Sequence, residues 1–205
     1  MNGFDKRTDG AHQKMIKLVG KGKLVLEIGC GKGFVSEQLR KKGNVITGIE
    51  IDKKSAKRAK KFCKKVLIGN IEEMKLNFAK ESFDVILFGD VLEHLFDPEA
   101  VLKKLKPFLA KNGKIIVSLP NIANWKIRLL LLRGKFDYTD WGILDKTHIR
   151  FFTRKRARNL IRGAGFRIEE EDFVPSFPAP FLKKYFAKIR PSAFAFQFIF
   201  AAKKK

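Results

Sequence analysis

The segment Val25-Leu26-Glu27-Ile28-Gly29-Cys30-Gly31-Lys32-Gly33 decides how this chain folds. An apolar run that contains the acid Glu27 is followed by three glycines on alternate positions, and a helical pattern begins at Phe34. This order predicts a buried strand, a tight turn and a helix start. Glycines in such a turn permit positive φ and let a ligand lie against bare backbone. The first N–H groups of the helix would point at that ligand.

The spacing of the glycines differs from that of a dinucleotide-binding turn. The fingerprint G-x-G-x-x-G would place its third glycine at residue 34, which is Phe34, whereas Gly33 comes one position earlier. Glu27 lies two residues before the first glycine, where an acid suits a cationic ligand better than a pyrophosphate. The pattern E-x-G-x-G-x-G resembles the first motif of class I S-adenosylmethionine-dependent methyltransferases. The alternative is an ordinary strand-to-helix turn with incidental glycines.

Length and composition fit a single domain that covers residues 1–205. A chain of this length buries roughly 70% of its unfolded surface on folding. Cys30 and Cys63 are too few for a disulfide scaffold, and no C-x-x-C pair suggests zinc. The sequence has no secretory signal pattern and no run near the ~20 apolar residues of a membrane span. We therefore expect a cytoplasmic protein, either a monomer or a homodimer.

The chain is strongly basic, with a formal net charge of +23. Such a charge attracts polyanions, which include nucleic acid, an anionic membrane surface and phosphorylated small molecules. The lysines are scattered in pairs and not gathered into one arginine-rich arm, a pattern that also fits solvated helix faces. Nucleic acid is therefore a possible but not a favoured partner.

Apolar segments alternate with helical ones along most of the chain, and this alternation requires a parallel sheet with helices on both faces. The predicted fold is α/β, a Rossmann-like, doubly wound seven-stranded sheet. The resemblance implies that the sheet is mostly parallel and that an antiparallel last strand inserts between strands five and six. The predicted strands are 24–28, 45–51, 66–68, 82–88, 113–120, 166–174 and 194–202.

Several residues are expected to bind the cofactor. Glu50 follows Gly33 by 17 residues, close to the distance at which doubly wound folds place an acid for ribose hydroxyls. Asp52 is better explained as the N-cap of the next helix. The resemblance implies S-adenosylmethionine as cofactor and S-adenosylhomocysteine as product. It implies a cofactor site made of Glu27, Gly29, Cys30, Gly31, Gly33, Glu50, Ile51, Asn70, Ile71, Asp90, Val91 and His12. A plain turn at Asn70 and a solvated His12 are the alternatives.

A second motif follows the fourth strand. Phe83-Asp84-Val85-Ile86 leads into Val91-Leu92-Glu93-His94-Leu95 and Asp97-Pro98, an order that resembles the fourth motif of many small-molecule methyltransferases. The resemblance places the Phe88–Leu92 backbone, with Asp90 and Val91, beside the methionine half of the cofactor and His94 on the acceptor side. Glu93 and His94 either fix this loop or, as in some quinone O-methyltransferases, help to hold a metal. We assign no metal from the sequence.

Residues 121–152 form a long aromatic segment after the fifth strand, where the acceptor is expected. P-N-I-A-x-W and L-D-x-T-H-x-R-F-F-T resemble a methyltransferase subgroup associated with sugar, glycolipid or polysaccharide pathways. His148 is the predicted general base, because its unperturbed pKa suits proton transfer near neutral pH. Asp145 would orient its ring or bind sugar hydroxyls. Trp125, Tyr138 and Trp141 would form an apolar wall. The alternatives are core packing for the three aromatic residues and, for His148, a hydrogen bond to backbone that fixes the loop.

Residues 175–192 form a second insertion, which is basic, aromatic and amphipathic. It would lie on an anionic membrane, grip a lipid-linked substrate, or pack as a lid on the sheet edge. The favoured function is S-adenosylmethionine-dependent O-methylation of a saccharide or lipid-linked small molecule. The alternatives are a quinone-type O-methyltransferase, a nucleic-acid methyltransferase, which would lack the usual D/N-P-P-Y/F motif, and a cofactor-binding protein without catalysis.

Overall fold

The computed structural model describes residues 10–176 and 190–205 and shows one seven-stranded sheet in the order β3-β2-β1-β4-β5-β7-β6. The strands are β1 (Leu24–Ile28), β2 (Val45–Glu50), β3 (Lys65–Ile68), β4 (Phe83–Gly89), β5 (Leu109–Pro120), β6 (Phe166–Pro175) and β7 (Ala195–Lys204). Strands β1 to β5 pair in parallel, and β7 pairs antiparallel with both β5 and β6. The predicted fold class is confirmed, including the antiparallel last strand.

Helices cover both faces of the sheet. They are α1 (Ala11–Val19), α2 (Phe34–Lys41), α3 (Lys53–Ala59), α4 (Pro98–Leu105), α5 (Trp125–Leu132), α6 (Arg154–Gly163) and α7 (Pro191–Phe194), with 3₁₀ turns at Leu92–His94 and Lys106–Phe108. One core packs α4 and α6 against the sheet, and the other packs α1, α2 and α3 against the opposite face. Neighbouring strand residues alternate between the two cores, as Ile86 and Leu87 do, because side chains of a strand alternate in direction.

Side chains cap three helices, and the cap at Asp52 is the one that the sequence analysis predicts. The Asp52 carboxylate accepts a hydrogen bond from the Ser55 N–H at 2.7 Å. Asp97 accepts one from Ala100, and Pro98 occupies the first turn of α4. The Thr153 hydroxyl accepts one from the N–H of Arg156 at 3.3 Å. Each of these bonds satisfies a helix donor that has no partner inside the helix.

The fifth strand departs from its predicted bounds, because it begins at Leu109 and not at Gly113. Phe83 pairs with Leu109, and Val85 pairs with Lys114, so the segment between them bulges out of the ladder. Gly113 lies so close to the neighbouring strand that a Cβ there would approach the Asp84 carbonyl oxygen to 2.9 Å. The segment before the predicted start at Gly113 is therefore a bulge within one strand, and glycine permits the close approach.

The first predicted insertion is fixed by a small core of its own. Ile127 of α5 packs with Ile143 and Leu144, and partly buried neighbours that include Phe151 and Phe196 surround them. Of the second insertion, residues 177–189 lie outside the described residues. No helix in the described ranges has the length and apolar character needed to cross a membrane.

Candidate active site

The glycine turn after β1 is built from three residues with positive φ, at +66° for Gly29, +54° for Gly31 and +82° for Gly33. A Cβ at Gly29 would lie 2.6 Å from Val91 Cγ2, and one at Gly33 would lie 2.9 Å from Ala59 Cα. A Cβ at Gly31 would meet nothing within 4 Å. Two of the glycines are therefore required by packing, whereas Gly31 faces open space where a ligand can approach the backbone.

Glu50 lies at the carboxyl end of β2 and braces this turn. Its Oε2 accepts a hydrogen bond from the Gly31 N–H at 2.7 Å, and its Oε1 accepts one from the Asp52 N–H at 2.9 Å. The carboxylate is buried, and each of its oxygens can accept a further hydrogen bond. The structure thus brings the predicted ribose ligand into direct contact with the glycine turn.

A cavity of about 450 Å³ opens beside this turn at the carboxyl ends of the parallel strands. This edge is where doubly wound sheets bind ligands. Nine residues predicted for the cofactor or acceptor line it: Gly29, Gly31, Glu50, Ile51, Asn70, Ile71, Asp90, Val91 and His94. Ser55, Leu95 and Phe96 also line the cavity and were not predicted.

A smaller cavity of about 120 Å³ lies on the other side of the same turn. Its lining includes His12 from α1 together with Glu27, Cys30 and Gly31. Glu27 is buried and accepts a hydrogen bond from the Ser36 hydroxyl at 2.5 Å. Burial raises the pKa of Glu27 to about 8, because a charge here loses its hydration. A cation in this cavity would replace that hydration and favour the carboxylate.

Asn70 lines the large cavity, but its amide is also used within its own turn. Its Nδ2 donates to Glu73 Oε1 at 2.9 Å, and its Oδ1 accepts from the Glu72 N–H at 3.0 Å. The turn role and the predicted base-edge role therefore involve the same side chain. Ile71 is buried beside it and offers an apolar surface to the cavity.

Asp90 lies at the end of β4 in the left-handed region, with φ of +57°. Its Oδ1 accepts hydrogen bonds from the Ser118 hydroxyl at 2.9 Å and from Gln197 Nε2. Burial raises the pKa of Asp90, and the Ser118 hydrogen bond opposes that shift. Sequence reasoning missed Ser118 and Gln197, because pairing of β4 with β5 brings Ser118 to Asp90 and pairing of β5 with β7 brings Gln197 there, and neither depends on a local motif.

The two sequence motifs of the acceptor side pack against each other. The Glu93 carbonyl oxygen accepts hydrogen bonds from the N–H groups of Ile149 and Arg150, both at 3.0 Å. The His94 Nδ1 lies 3.0 Å from the Thr147 carbonyl oxygen, and the His94 and His148 rings meet edge to face at 4.8 Å between centroids. The loop after the fourth strand and the loop before α6 therefore form one wall beside the large cavity.

His148 is buried in this wall with a defined tautomer. Its Nδ1 lies 3.1 Å from the Ile143 carbonyl oxygen, so Nδ1 carries the proton and Nε2 keeps its lone pair. Burial lowers the pKa of His148 and favours the neutral ring. The prediction that Asp145 orients this ring is wrong. The Asp145 carboxylate instead accepts from the N–H and hydroxyl of Thr147, at 2.8 Å and 2.6 Å, because a short Asx turn offers it nearer donors.

Glu93 is the unusual polar group of the site. Both of its carboxyl oxygens are buried, and neither has a hydrogen-bond partner among the described residues. His148 Nε2 lies 3.9 Å from Glu93 Oε1, and burial raises the pKa of Glu93 well above its usual value. Ligand atoms of Glu93, His94 and His148 all lie within 4.8 Å of one another. This donor set of two imidazoles and one carboxylate fits a divalent cation.

The three residues of the predicted aromatic wall differ in their burial. Trp125 is half-buried, and its indole N–H donates to the Ser176 carbonyl oxygen at 2.9 Å. Tyr138 and Trp141 are 58% and 69% exposed on the outer part of the same segment. Trp125 therefore has a packing role, whereas the other two face solvent. The acceptor role of all three stays a prediction.

The family profile described as Methyltransferase domain matches residues 7–171 of the chain. The chain belongs to this family. It is an S-adenosylmethionine-dependent methyltransferase, and the resemblance seen in the glycine turn is confirmed at this level. The glycine turn and the braced Glu50 lie at the edge of the sheet where this fold binds its ligand.

Sequence comparison places the chain near O-methyltransferases. It is 28% identical over 178 residues to the ubiquinone biosynthesis O-methyltransferase of Coxiella burnetii, and the match covers 69% of this chain and 73% of that protein. It is 29% identical over 185 residues to the protein of the same name from Psychrobacter arcticus, with 85% and 70% covered.

Solved structures share the fold at low identity. A Thermotoga maritima methyltransferase described as a possible histamine N-methyltransferase matches with a TM-score of 0.69 and 23% identity, over 95% of this chain and 88% of that one. The 1,6-didemethyltoxoflavin-N1-methyltransferase of Burkholderia thailandensis, solved with S-adenosylhomocysteine, matches with a TM-score of 0.65 and 17% identity, over 98% and 80%. These matches establish the architecture and say nothing of the acceptor.

Proposed function

We propose that this methyltransferase transfers the methyl group of S-adenosylmethionine to a hydroxyl group of a small, lipid-linked or saccharide-containing acceptor. The observation that carries the proposal is the buried, neutral His148 in the wall beside the large cavity, whose Nδ1 is held by the Ile143 carbonyl and whose Nε2 keeps its lone pair. A hydroxyl acceptor needs such a base, because an alcohol is a weak nucleophile until its proton is removed. The two relatives named O-methyltransferases support the same class of reaction.

The two cavities suit the two halves of the cofactor. The large cavity would take the adenosine, with Glu50 accepting from the ribose hydroxyls and Asn70 and Ile71 beside the base. The small cavity would take the methionine end, with Glu27 and His12 near its charged groups. Gly31 lines both cavities, so the cofactor would cross the turn where the backbone is bare.

In this arrangement the reaction is an in-line displacement on the methyl carbon. The acceptor oxygen attacks the carbon, the carbon–sulfur bond breaks, and S-adenosylhomocysteine leaves as the neutral thioether. His148 Nε2 takes the hydroxyl proton and becomes an imidazolium, 3.9 Å from the Glu93 carboxyl group. Most of the rate enhancement would come from the alignment of oxygen, carbon and sulfur. Reactants that are already held in line avoid the entropy loss and the solvent reorganisation of a bimolecular encounter.

A quinone-type, cation-assisted reaction is the second candidate, and the unpartnered Glu93 favours it. Glu93, His94 and His148 would hold the cation, which would lower the pKa of a hydroxyl bound to it. His148 cannot then be the base, because its Nε2 lone pair would bind the cation. The two mechanisms therefore make opposite predictions about chelators.

The acceptor is tested by incubating the enzyme with tritiated-methyl S-adenosylmethionine and separated fractions of cell extract. We expect label in the lipid or soluble-sugar fraction, in alkali-stable methyl ethers. Incorporation into RNA, or into amines, would contradict O-methylation of a small molecule. Incorporation that persists in excess chelator favours His148 as base. Loss with chelator and recovery with Mg²⁺, Mn²⁺ or Zn²⁺ favours the second candidate.

His148→Gln tests the base and is compared with Asp145→Asn in the same wall. We expect His148→Gln to lower kcat by about 10² to 10⁴, the usual contribution of a general base, with unchanged affinity for S-adenosylhomocysteine. In Asp145→Asn the side-chain oxygen can still accept the hydrogen bonds from Thr147, so the substitution should have a small effect on kcat. Equal activity of His148→Gln and wild type on the identified acceptor would remove His148 from the reaction.

A further inference from the structure

Helix α5 has an apolar surface that the rest of the described protein does not cover. Leucines occupy four consecutive positions, from Leu129 to Leu132, so they project on every side of the helix. A helix that is apolar all round is normally buried in a core or in lipid. In α5 only Ile127 is buried, and Leu132 is 83% exposed.

The loop after α5 extends this surface. The Lys135 N–H donates to the Leu130 carbonyl oxygen, which turns the chain back on the helix. The Phe136 ring then packs edge to face against Tyr138, at 5.7 Å between centroids. We call the exposed apolar residues of this region the apolar crest: Leu129, Leu131, Leu132, Phe136, Tyr138 and Trp141.

Cations and interfacial aromatic residues accompany the crest. Residues 125–136 contain the four cations Lys126, Arg128, Arg133 and Lys135 and no acid. The rest of the crest region contains the acids Asp137 and Asp140, and Asp140 is paired with Lys146 at 2.7 Å, so the region keeps an excess of cations. Tyrosine and tryptophan prefer the boundary between hydrocarbon and water, because their rings are apolar with a polar edge.

We propose that the apolar crest docks on an anionic membrane surface. An eight-residue helix is far too short to span a bilayer, so α5 would lie in the plane of the interface. Its leucines would enter the acyl boundary, and the four cations would meet anionic headgroups. A second copy of this chain fits less well, because it would bring the same cations together.

The crest is continuous with the acceptor wall. Ile127 packs on Ile143 and Leu144, and Ile143 supplies the carbonyl that orients His148. Docking would therefore hold this wall close to the lipid surface. The functional consequence rests on the proposed function: an acceptor with a lipid tail would reach His148 without leaving the membrane. Membrane binding itself does not depend on which acceptor is methylated.

The test is co-sedimentation of the full chain with vesicles of phosphatidylglycerol and phosphatidylcholine, beside vesicles of phosphatidylcholine alone. Because the net charge of +23 attracts any anionic surface, the variants decide the question. Leu132→Glu is compared with Leu24→Glu, the same substitution at a 48% exposed leucine at the amino end of β1, on the opposite edge of the sheet. We expect Leu132→Glu to weaken binding about tenfold or more and Leu24→Glu to leave it near wild type.

A charge-matched pair completes the design. We expect Arg133→Glu with Lys135→Glu to weaken binding more than Lys57→Glu with Lys61→Glu, and the fluorescence of Trp141 to shift to the blue on mixed vesicles. Equal losses in the matched variants would overturn the proposal in favour of non-specific attraction. A wild-type dimer that Leu132→Glu dissociates, with vesicle binding unchanged, would overturn it in favour of a second copy. Calorimetric affinity for S-adenosylhomocysteine, which tests the cofactor site, should be the same in all variants.

Discussion

At the scale of single residues, the three glycines of the first motif have different structural roles although they look alike in the sequence. Gly29 packs against Val91 and Gly33 packs against Ala59, and Gly31 alone of the three has open space where a side chain would project. The spacing of the glycines identified the turn. It could not say which glycine the ligand needs, because that depends on residues from α3 and from the loop after β4.

Alanine substitutions separate these roles. Gly33→Ala should destabilise the fold by about 1–3 kcal/mol, because its Cβ would lie 2.9 Å from backbone and its φ is positive. Gly31→Ala should cost less stability but weaken cofactor binding, because its methyl group enters the ligand space. Urea unfolding measures the first effect and calorimetry with S-adenosylhomocysteine the second. Equal effects of both variants on both measurements would contradict this division.

The raised pKa of Glu27 predicts that the stability of the cofactor-free protein depends on pH. Its pKa is raised in the fold to about 8 from 4.5, so the protonated form is the one that folding favours. Its contribution is therefore fully present below about pH 4.5 and is lost as the pH rises through about 8, with a slope of up to about 1.4 kcal/mol per pH unit. Glu27→Gln should flatten urea-unfolding free energies over this range. A slope that survives the substitution would assign it to another group.

At the scale of elements, most of the strand and helix bounds could be predicted from apolar periodicity and capping residues. The bulge at Gly113 and the hydrogen bonds of Asp90 could not, because they join segments far apart in sequence; Asp90 and Gln197 are 107 positions apart. The prediction of what orients the His148 ring was wrong for a related reason. A backbone carbonyl holds the ring, and every residue has one, so no residue type marks it.

The attachment of the 121–152 segment to the sheet gives a prediction at this scale. The buried Asn121 Nδ2 donates to the carbonyl oxygens of Ser192 and Ala195, at 3.1 Å and 2.9 Å. Asn121→Ala should lower the free energy of unfolding by about 1–3 kcal/mol, because it removes both of these hydrogen bonds and the one that Asn121 Oδ1 accepts from the Ala123 N–H. The exposed Asn112→Ala in the β5 bulge is the control and should change it by less than about 0.5 kcal/mol. Similar losses in both variants would contradict the anchoring role.

At the scale of the whole molecule, the positive charge and the apolar crest act together on one kind of surface. Binding to a membrane through charge alone weakens as the salt concentration rises, whereas binding through an inserted apolar face persists at high salt. RNA should therefore bind weakly in filter assays, with affinity that falls steeply as salt rises, and should accept no methyl label. RNA binding that survives at about 0.2 M salt would contradict the interpretation that the lysines form solvated helix faces and no nucleic-acid site.

The pocket at the leading edge of the sheet is the feature on which the enzymatic interpretation depends. Glu50 joins β2 to the glycine turn and lines the large cavity, whereas Glu37 is an acid on the surface of α2, paired with Lys41. Glu50→Gln keeps the size of the side chain but removes one carboxylate oxygen. Glu37→Gln makes the same chemical change away from the cavity.

Calorimetric titration of S-adenosylhomocysteine into the wild type, Glu50→Gln and Glu37→Gln tests this pocket most directly. We expect the wild type and Glu37→Gln to bind alike and Glu50→Gln to bind about tenfold or more weakly, as the loss of a hydrogen bond to a charged group predicts. Equal affinities of all three proteins would show that the cofactor binds somewhere other than this pocket.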